Sequence, residues 1–187
     1  MQTSWGSLYD EILSCERCEL CRKIHNKVPG QGDPNTDLMF IGEGPGADED
    51  LQGLAFVGAA GQLLTKMIAA MGKTRDEAYI CNIVKCRPPQ NRVPLPEEAA
   101  ACLPFLRQQV ALVKPKIIVL LGATAAKTLL RPDFRITREH GIWEERKGIW
   151  FMPTYHPAAL LRDEPKKKVS WHDLQLGMEK MKELGIK

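Results

Sequence analysis

The sequence of 187 residues predicts a single-domain α/β fold, a three-layer sandwich in which a mostly parallel central sheet of about four strands lies between helices. Short apolar runs typical of buried strands alternate along the chain with longer segments whose apolar residues recur at helical spacing. The length suffices for one substantial core. Apolar residues make up 44% and charged residues 26%, as in ordinary globular domains. No repeat or linker divides residues 1–187 into two domains.

The N-terminal segment, at about residues 1–36, differs in composition from the rest of the chain. Residues 4–14 predict a short helix that leads into a cluster of cysteines. Residues 22–36, KIHNKVPGQGDPNTD, are rich in Gly, Pro, Asn and Asp and predict a loop. The regular part of the domain therefore begins after this segment.

The middle of the chain predicts two strands and two helices. LMFIGEGPG reads as a buried strand that ends in a glycine turn, and AYICNIVK reads as a second strand. Between them, GQLLTKMIAAMG carries apolar residues at helical spacing and ends at Gly72. A longer helix is predicted to begin at Pro96, because proline and two following glutamates favour a helix N-terminus.

The last part of the chain predicts a third strand, a hairpin and two helices. Residues 117–121 of KIIVLLG carry no polar side chain, so this strand is expected to be buried on both faces. The helix ATAAKTLL follows it. A hairpin or a pair of edge strands is predicted around Lys147 and Gly148, and a polar amphipathic helix from about residue 166.

Three segments follow the carboxyl ends of predicted strands, where parallel α/β sheets bind their ligands. They are GEGPG, the stretch from Asn82 to Cys86, and TYHPAALLR. We expect these segments to meet in one pocket.

The six cysteines are compatible with a metal site. Cys15 and Cys18 form a C-x-x-C pair, Cys21 forms an alternative pair with Cys18, and Cys86 and Cys102 lie far downstream. A pair and two remote cysteines fit a four-thiolate site, in which the wide separation favours an iron–sulfur cluster over zinc. Spacing alone leaves open which two of the first three cysteines are ligands. Scattered core thiols are the alternative, and Cys81 is interpreted as such a residue.

Asn82 is the most informative single residue, because a carboxamide in an apolar strand must be hydrogen-bonded. Its donors and acceptor match the base edge that uracil and thymine present. Phe56, between glycines, is either a core residue or a stacking surface for a planar base. His156, held before a proline, either makes a structural hydrogen bond or stabilises charge on a leaving group. The acidic residues of the glycine turn are either solvated or position a water molecule.

The charge and the hydropathy limit the choice of partners. The net charge of +3 is weak support for a polyanionic partner, although Arg87, Arg92 and Arg162 follow predicted strand ends. No apolar run reaches the 18 residues that a membrane span needs. The N-terminus has no pattern of an export signal, so we expect a cytoplasmic protein.

Taken together in their order along the chain, the motifs are similar to those of one family. The sequence resembles the family 4 uracil-DNA glycosylases, the iron–sulfur-containing branch of that superfamily. The resemblance covers nearly the whole chain. It is carried by GEGPG with an acidic pair downstream, FVGAAGQLL, YICNIVKCRPPQNR, PEEAAAC, IIVLLGATAAKTLL and PTYHPAALLR.

The resemblance implies one 4Fe–4S cluster with a structural role, bound in the N-terminal segment and at two later positions. The family pattern C-x-x-C-x-L places Leu20 after the second ligand, which leaves Cys21 as an extra cysteine. The implied ligands are Cys15, Cys18, Cys86 and Cys102.

The resemblance also implies a uracil pocket and a hydrolytic reaction that removes uracil from single- or double-stranded DNA and leaves an abasic site. The implied uracil-binding residues are Gly42, Glu43, Gly44, Phe56, Asn82 and His156. The implied catalytic residues are Glu43 and His156, with Glu49 as a lesser candidate. The candidate DNA contacts are Arg87, Asn91, Arg92, Leu160, Leu161 and Arg162, and either leucine is a candidate to fill the vacated base stack. A monomer is expected, with a sliding clamp as a candidate partner.

Two other readings of the sequence remain as alternatives. The cysteines alone fit an electron-transfer protein, which gives no role to Asn82 and His156. An iron–sulfur or zinc nucleic-acid-binding module without glycosylase activity is the second alternative.

Overall fold

A six-stranded sheet forms the middle layer of residues 4–187, the part of the chain that this computed structural model describes. Its strands are β1 (Gln31–Gly32), β2 (Leu38–Gly42), β3 (Tyr79–Asn82), β4 (Ile117–Leu121), β5 (Glu144–Arg146) and β6 (Ile149–Thr154). Their order across the sheet is β1-β3-β2-β4-β6-β5. The four inner strands are parallel, and the edge strands β1 and β5 are antiparallel to their neighbours.

The predicted mostly parallel sheet is thus confirmed, whereas the predicted count of about four strands was too low. Four is the number of inner, parallel strands within residues 4–187. The expected hairpin is present, with β5 and β6 joined at Lys147 and Gly148, both of which have positive φ angles. β1 has only two residues and lies within the predicted loop, where no apolar alternation marks it.

Helices cover both faces of the sheet, which confirms the three-layer arrangement. Residues 4–187 contain eight of them: α1 (Trp5–Leu13), α2 (Ala47–Gln52), α3 (Ala59–Ala70), α4 (Pro96–Val113), α5 (Ala123–Leu129), α6 (Ile136–Glu139), α7 (Pro157–Arg162) and α8 (Pro165–Glu183). Short 3-10 turns occur at Glu19–Lys23, Arg75–Glu77 and Pro89–Asn91. No helix in residues 4–187 is long and apolar enough to cross a membrane.

Alternation along the strands divides the buried residues into two cores. Met39, Cys81 and Leu120 face α1, α4 and α5, whereas Phe40, Ile80 and Val119 face α3, α7 and α8. Cys81 therefore packs in the first core, as expected for a structural thiol, and the next side chain of β3 points to the opposite face. All five residues of β4 are buried, as expected for a strand covered on both sides.

The strand register places the expected functional segments at one edge of the sheet. Gly42 pairs with Asn82, and Leu121 pairs with Thr154. Because these residues end parallel strands, the turns that follow them lie side by side. The segments beginning at Glu43, Gly122 and Tyr155 therefore meet at the carboxyl edge.

Candidate active site

A cavity of about 490 Å³ opens at the carboxyl edge of the sheet. The segments after β2, β3, β4 and β6 all contribute to its wall, together with the loop before α3. Predicted site residues that line it are Glu43, Gly44, Glu49, Phe56, Asn82, Asn91, Arg92, His156 and Arg162. Gly42, Arg87, Leu160 and Leu161 are not among its lining residues. A volume of this size is that of a small-molecule binding site.

Asn82 presents an unsatisfied polar atom in this cavity. The residue is only 1% exposed, and its Oδ1 has no hydrogen-bond partner among the described residues. A buried acceptor without a partner costs free energy, and in native proteins such an atom usually marks a missing water or ligand. The geometry therefore points to a ligand that donates a hydrogen bond to Asn82.

Gly42 gives Asn82 and Phe56 the space that they occupy. A Cβ atom on Gly42 would lie 2.6 Å from Asn82 Oδ1 and 2.4 Å from Phe56 Cζ. Both distances are well inside van der Waals contact, so a larger residue would displace one of these side chains. Gly42 thus leaves room for both side chains through the absence of its own.

Phe56 has a backbone conformation that L-residues rarely adopt, with φ at 53°. Its ring stacks on the imidazole of His156, with the ring centroids 5.7 Å apart and an interplanar angle of 29°. The flanking Ala55 is fixed by two side chains: its N–H donates to Gln31 Oε1 over 3.1 Å, and its carbonyl oxygen accepts from Arg75. The surrounding structure therefore holds a strained residue in place.

Glu49 is the main anchor of the Phe56 loop. Its Oε1 accepts hydrogen bonds from the N–H groups of Val57 and Gly58, each over 2.8 Å, and its Oε2 accepts from Gly46 over 3.1 Å. Both carboxylate oxygens are thus engaged by the backbone. This geometry gives Glu49 a positioning role, while the lesser catalytic role that the resemblance implies stays a prediction.

His156 caps α7 and has a defined tautomer. Its Nδ1 accepts a hydrogen bond from the N–H of Ala158 over 3.1 Å, so the neutral ring carries its proton on Nε2. Burial, with a smaller contribution from Arg162, lowers the pKa of His156 to about 4, and Glu49 acts in the opposite direction. A neutral imidazole at pH 7 is a hydrogen-bond donor without a positive charge.

Glu43 is held by a residue that the sequence analysis did not single out. Burial raises the pKa of the Glu43 carboxyl group, and a hydrogen bond from the Thr124 hydroxyl to Oε2 lowers it. Thr124 lies in the first turn of α5 and also lines the cavity. Its position directly after the carboxyl end of β4 is the only feature of the sequence that identifies it.

Two arginine side chains of the loop between β3 and α4 form hydrogen bonds within the protein. Arg92 donates to both carboxylate oxygens of Glu98, each over 2.8 Å, and Glu98 in turn caps α4 by accepting from the N–H of Leu95. Arg87 Nε donates to Asn91 Oδ1 over 2.7 Å. Arg162, by contrast, lines the cavity and appears in no ion pair among the described residues.

The two leucines of α7 differ in their surroundings, and one candidate has to be corrected. Leu160 is 2% exposed and packs in the core beneath α7, so it cannot enter a DNA stack without leaving that core. Leu161 is 49% exposed. Of the two, only Leu161 is available to a partner.

The cysteines gather on the other face of the sheet. A second cavity is lined by Cys15, Cys18, Cys21, Cys86 and Cys102. Backbone N–H groups point at two of the sulfur atoms, from Arg17 to Cys15 over 3.5 Å and from Lys85 to Cys102 over 3.4 Å. Such donors stabilise thiolates and the clusters that thiolates bind.

The thiols influence one another's pKa. Burial, with smaller contributions from Cys102, Cys18 and Cys15, raises the pKa of Cys86 to about 12. Burial also raises the pKa of Cys102, which Cys18 and Cys15 influence as well. Cys21 also influences the pKa of Cys18. Within residues 4–187, no group of three potential ligands forms a single-ion site.

Comparison with known proteins assigns the chain to a family. The model of the uracil DNA glycosylase superfamily matches residues 29–175. The chain is 43% identical to a type-4 uracil-DNA glycosylase of Sulfurisphaera tokodaii, over 98% of this chain and 86% of the relative. It is 46% identical to one of Archaeoglobus fulgidus, over 84% and 83%. It is 44% identical to one of Thermotoga maritima, over 82% and 81%. The chain belongs to the uracil DNA glycosylase superfamily, among its type-4 members.

Proposed function

We propose that the chain is a uracil-DNA glycosylase that takes uracil out of the DNA stack and hydrolyses its N-glycosidic bond. The observation that carries the proposal is the unpartnered, buried Oδ1 of Asn82 in a cavity beside a neutral histidine and a carboxyl group. The names of the relatives support the same activity. Hydrolysis leaves an abasic site, the substrate of later steps in base excision repair.

Asn82 selects the base by the order of its donors and acceptor. Oδ1 accepts from the N3–H group of uracil, and the amide nitrogen donates to the adjacent carbonyl oxygen. Cytosine presents an acceptor at N3 and an amino group beside it, so both contacts would be mismatched. Phe56 stacks on the base. Thymine has the same edge as uracil, so Asn82 discriminates against cytosine and not against thymine.

His156 stabilises the leaving group. As the bond between C1′ of the sugar and N1 of uracil breaks, its electron pair moves onto the base and negative charge develops on the uracil 2-oxygen. The Nε2–H of neutral His156 donates a hydrogen bond to this oxygen. The low pKa keeps the ring neutral, so no proton is transferred in this step.

Glu43 directs the water molecule. The oxocarbenium-like sugar is attacked at C1′ by a water whose proton passes to the Glu43 carboxylate. The hydroxyl group of Thr124 occupies Oε2, which leaves Oε1 for the water. The departing uracil anion takes its proton from solvent, and no enzyme–DNA bond is formed.

Arg162 at the pocket mouth supports binding of DNA, because it lines the cavity and carries a charge suited to a phosphate. Asn91 and Arg92 lie at the same mouth, and Arg87 orients Asn91. Exposed Leu161 is the group that fills the stack after the base leaves it. We infer that the protein acts as a monomer on single- or double-stranded DNA, with a sliding clamp as a candidate partner.

Cys15, Cys18, Cys86 and Cys102 would hold a 4Fe–4S cluster. The grouping of these thiols around one cavity supports this set, and the family pattern leaves Cys21, which lines the same cavity, as an extra cysteine. When bound, the cluster cross-links the N-terminal segment to the loop and helix that follow β3. It supplies no chemistry to the reaction, which uses Glu43, Asn82 and His156.

The test is a base-release assay on DNA containing a single uracil, cytosine or thymine at the same position. We expect release of uracil, and a rate on cytosine lower by at least about 10³-fold. Asn82→Ala and His156→Ala should each lower the uracil rate by about 10²–10³-fold while keeping the cluster absorbance. His172→Ala, an exposed histidine on α8, is the matched control and should retain full activity.

Absence of uracil release by the wild-type protein at every salt concentration and temperature tried would refute the proposal. A colourless protein that contains zinc, binds DNA and is unaffected by His156→Ala would support the nucleic-acid-binding module instead. A brown protein that exchanges electrons and releases no uracil would support the electron-transfer alternative.

A further inference from the structure

Lys85 is a buried lysine that contacts the residue proposed to read the base. It is 1% exposed, and its Nζ donates a hydrogen bond to the backbone carbonyl oxygen of Asn82 over 2.7 Å. A second hydrogen bond, over 2.6 Å, goes to Oε1 of Gln109 on α4. The peptide group that carries the Asn82 side chain is thus tied to a helix on the opposite face of the sheet.

Gln109 continues this link away from the uracil pocket. It is 0% exposed, and its side-chain nitrogen donates to the carbonyl oxygen of Pro29 over 2.7 Å and to the Tyr79 hydroxyl over 3.0 Å. Every side-chain oxygen and nitrogen of Lys85 and Gln109 therefore has a partner. A buried network in which each polar side-chain atom has a partner favours one geometry.

The main chain of Lys85 belongs to the cysteine site. Its N–H donates to Cys102 Sγ over 3.4 Å, and its carbonyl oxygen accepts from the N–H of Val28 over 2.7 Å. Lys85 also lines the cysteine cavity. One residue thus contacts both the cysteine site and the backbone of the base-reading asparagine.

Stability alone is a poor explanation for a lysine at this position. Burying an amino group costs free energy, which proteins usually offset with a carboxylate partner. Lys85 forms no ion pair with any carboxylate of residues 4–187. Methionine would fill a similar volume without this cost. The amino group is therefore better explained by the geometry that its two hydrogen bonds impose on Asn82 and Gln109.

We propose that Lys85 is a positioning residue that sets the orientation of Asn82, and that Gln109 holds Lys85 in turn. The inference rests on the proposed function, in which Asn82 contacts uracil. Lys85 does not touch the base. Its loss should slow bond cleavage because the Asn82 amide is misplaced, and a misplacement of about 1 Å lowers a rate by up to about 100-fold.

The experiment is a double-mutant cycle between Lys85→Met and Asn82→Ala, measured as single-turnover excision of uracil. In the wild-type background, Lys85→Met should lower the rate by about 10- to 100-fold, with the Kd for the DNA unchanged. In the Asn82→Ala background, the same substitution should lower the rate by less than about two-fold, because residues that act as one unit are not additive.

The matched control is Thr36→Val, which removes a buried hydrogen-bonding hydroxyl group at the opposite end of β2. This variant should keep the wild-type excision rate. If Lys85→Met lowers the rate by the same factor with and without Asn82, or excises uracil as fast as the control, the inference is wrong. Gln109→Leu supplies the same test should Lys85→Met fail to fold.

A second measurement does not depend on activity and separates this inference from the proposed function. Amide hydrogen exchange at Ile83 and Val84, whose N–H groups bond to Gly42 and Glu43, should accelerate in Lys85→Met and not in Thr36→Val. Unchanged exchange would contradict the positioning role even in a protein that excises uracil. Faster exchange in a protein without excision would contradict the proposed function and leave the positioning of Asn82 intact.

Discussion

Asn82 and Thr124 differ in how well the sequence alone identifies them as residues of the site. Asn82 stands out because a carboxamide interrupts an apolar strand, and the structure finds its oxygen buried and unpartnered. Thr124 contacts Glu43 from the start of a helix, where a threonine conflicts with no pattern. Leu160 and Leu161 are residues of the same type at adjacent positions, so only the packing of α7 distinguishes them.

Removal of the Thr124 hydroxyl group should change the pH dependence of the reaction. Its hydrogen bond lowers the pKa of Glu43, while burial raises it. In Thr124→Val only the effect of burial remains, so the pKa of Glu43 should rise. The acid limb of the pH–rate profile should then move to higher pH, since Glu43 must be ionised to accept a proton.

Thr124→Ser is the control for this prediction, because it retains a hydroxyl group and should keep the wild-type profile. The charged or titratable groups that share the cavity with Glu43 are Glu49, Arg92, His156 and Arg162, and neither substitution alters them. An unchanged acid limb in Thr124→Val would show that Glu43 does not control the rate.

His156 should make the stability of the protein depend on pH. Its pKa is about 4 in the folded protein and near 6.5 in the unfolded chain. The unfolded chain therefore binds a proton first as the pH falls, so stability is complete above pH 6.5 and is lost down to pH 4. Between pH 7 and pH 5 the loss should be about 2 kcal/mol.

The measurement is the unfolding free energy at both pH values for the wild type and for His156→Gln. Other acid-sensitive groups contribute equally to both proteins, so the difference between them isolates the histidine. An equal loss of stability in the two proteins would mean that the pKa of His156 is not lowered.

At the scale of elements, the sequence predicts strands and helices that have a repeating apolar pattern, and it misses very short elements. The inner strands β2, β3 and β4 and the long helices α3, α4 and α8 follow from apolar runs and helical spacing. β6 was expected in a hairpin or a pair of edge strands and lies inside the sheet, next to β4. β1 has two residues in a loop rich in glycine and proline, and only its pairing with Ile80 and Tyr79 makes it a strand. Two residues are too few to show the alternation of apolar and polar side chains by which a strand is predicted.

The spacing of the cysteines leaves open which two of the three in the N-terminal segment are cluster ligands. Cys15 and Cys18 influence both remote thiols, and Cys21 lines the same cavity. The family pattern C-x-x-C-x-L leaves Cys21 outside the ligand set, so Cys21→Ala should retain about four iron and four sulfide per chain, together with the visible absorbance. Cys15→Ala, the matched variant from the same segment, should lose both. The reverse result would move Cys21 into the ligand set.

At the scale of the whole molecule, the site could be predicted because parallel strands end at one edge. Glu43, Asn82 and His156 are far apart in the sequence, yet the register of β2, β3 and β6 brings them around one cavity. The connections that cross between the two faces, such as the link from Lys85 to Gln109, depend on how α4 packs. No local pattern encodes that packing.

Leu161 gives a prediction about the molecule on its substrate. A wedge is needed only in a duplex, where it keeps the base stack from closing over the gap that the flipped base leaves. Leu161→Ala should therefore slow excision from duplex DNA by about 10-fold or more, and excision from single strands much less. Ile142→Ala, an exposed apolar residue beside the edge strand β5, is the control. Equal slowing on both substrates would assign Leu161 another role.

The position of β6 inside the sheet has a consequence for how the protein is made. β6 lies between β4 and β5, and His156 follows it directly, late in the chain. A nascent chain that has emerged only as far as β4 can pair β2, β3 and β4, but it lacks one wall of the pocket and the donor to the leaving group. Synthesis thus delays uracil recognition until the sheet is nearly assembled, and a ribosome-bound fragment would leave DNA uracil untouched.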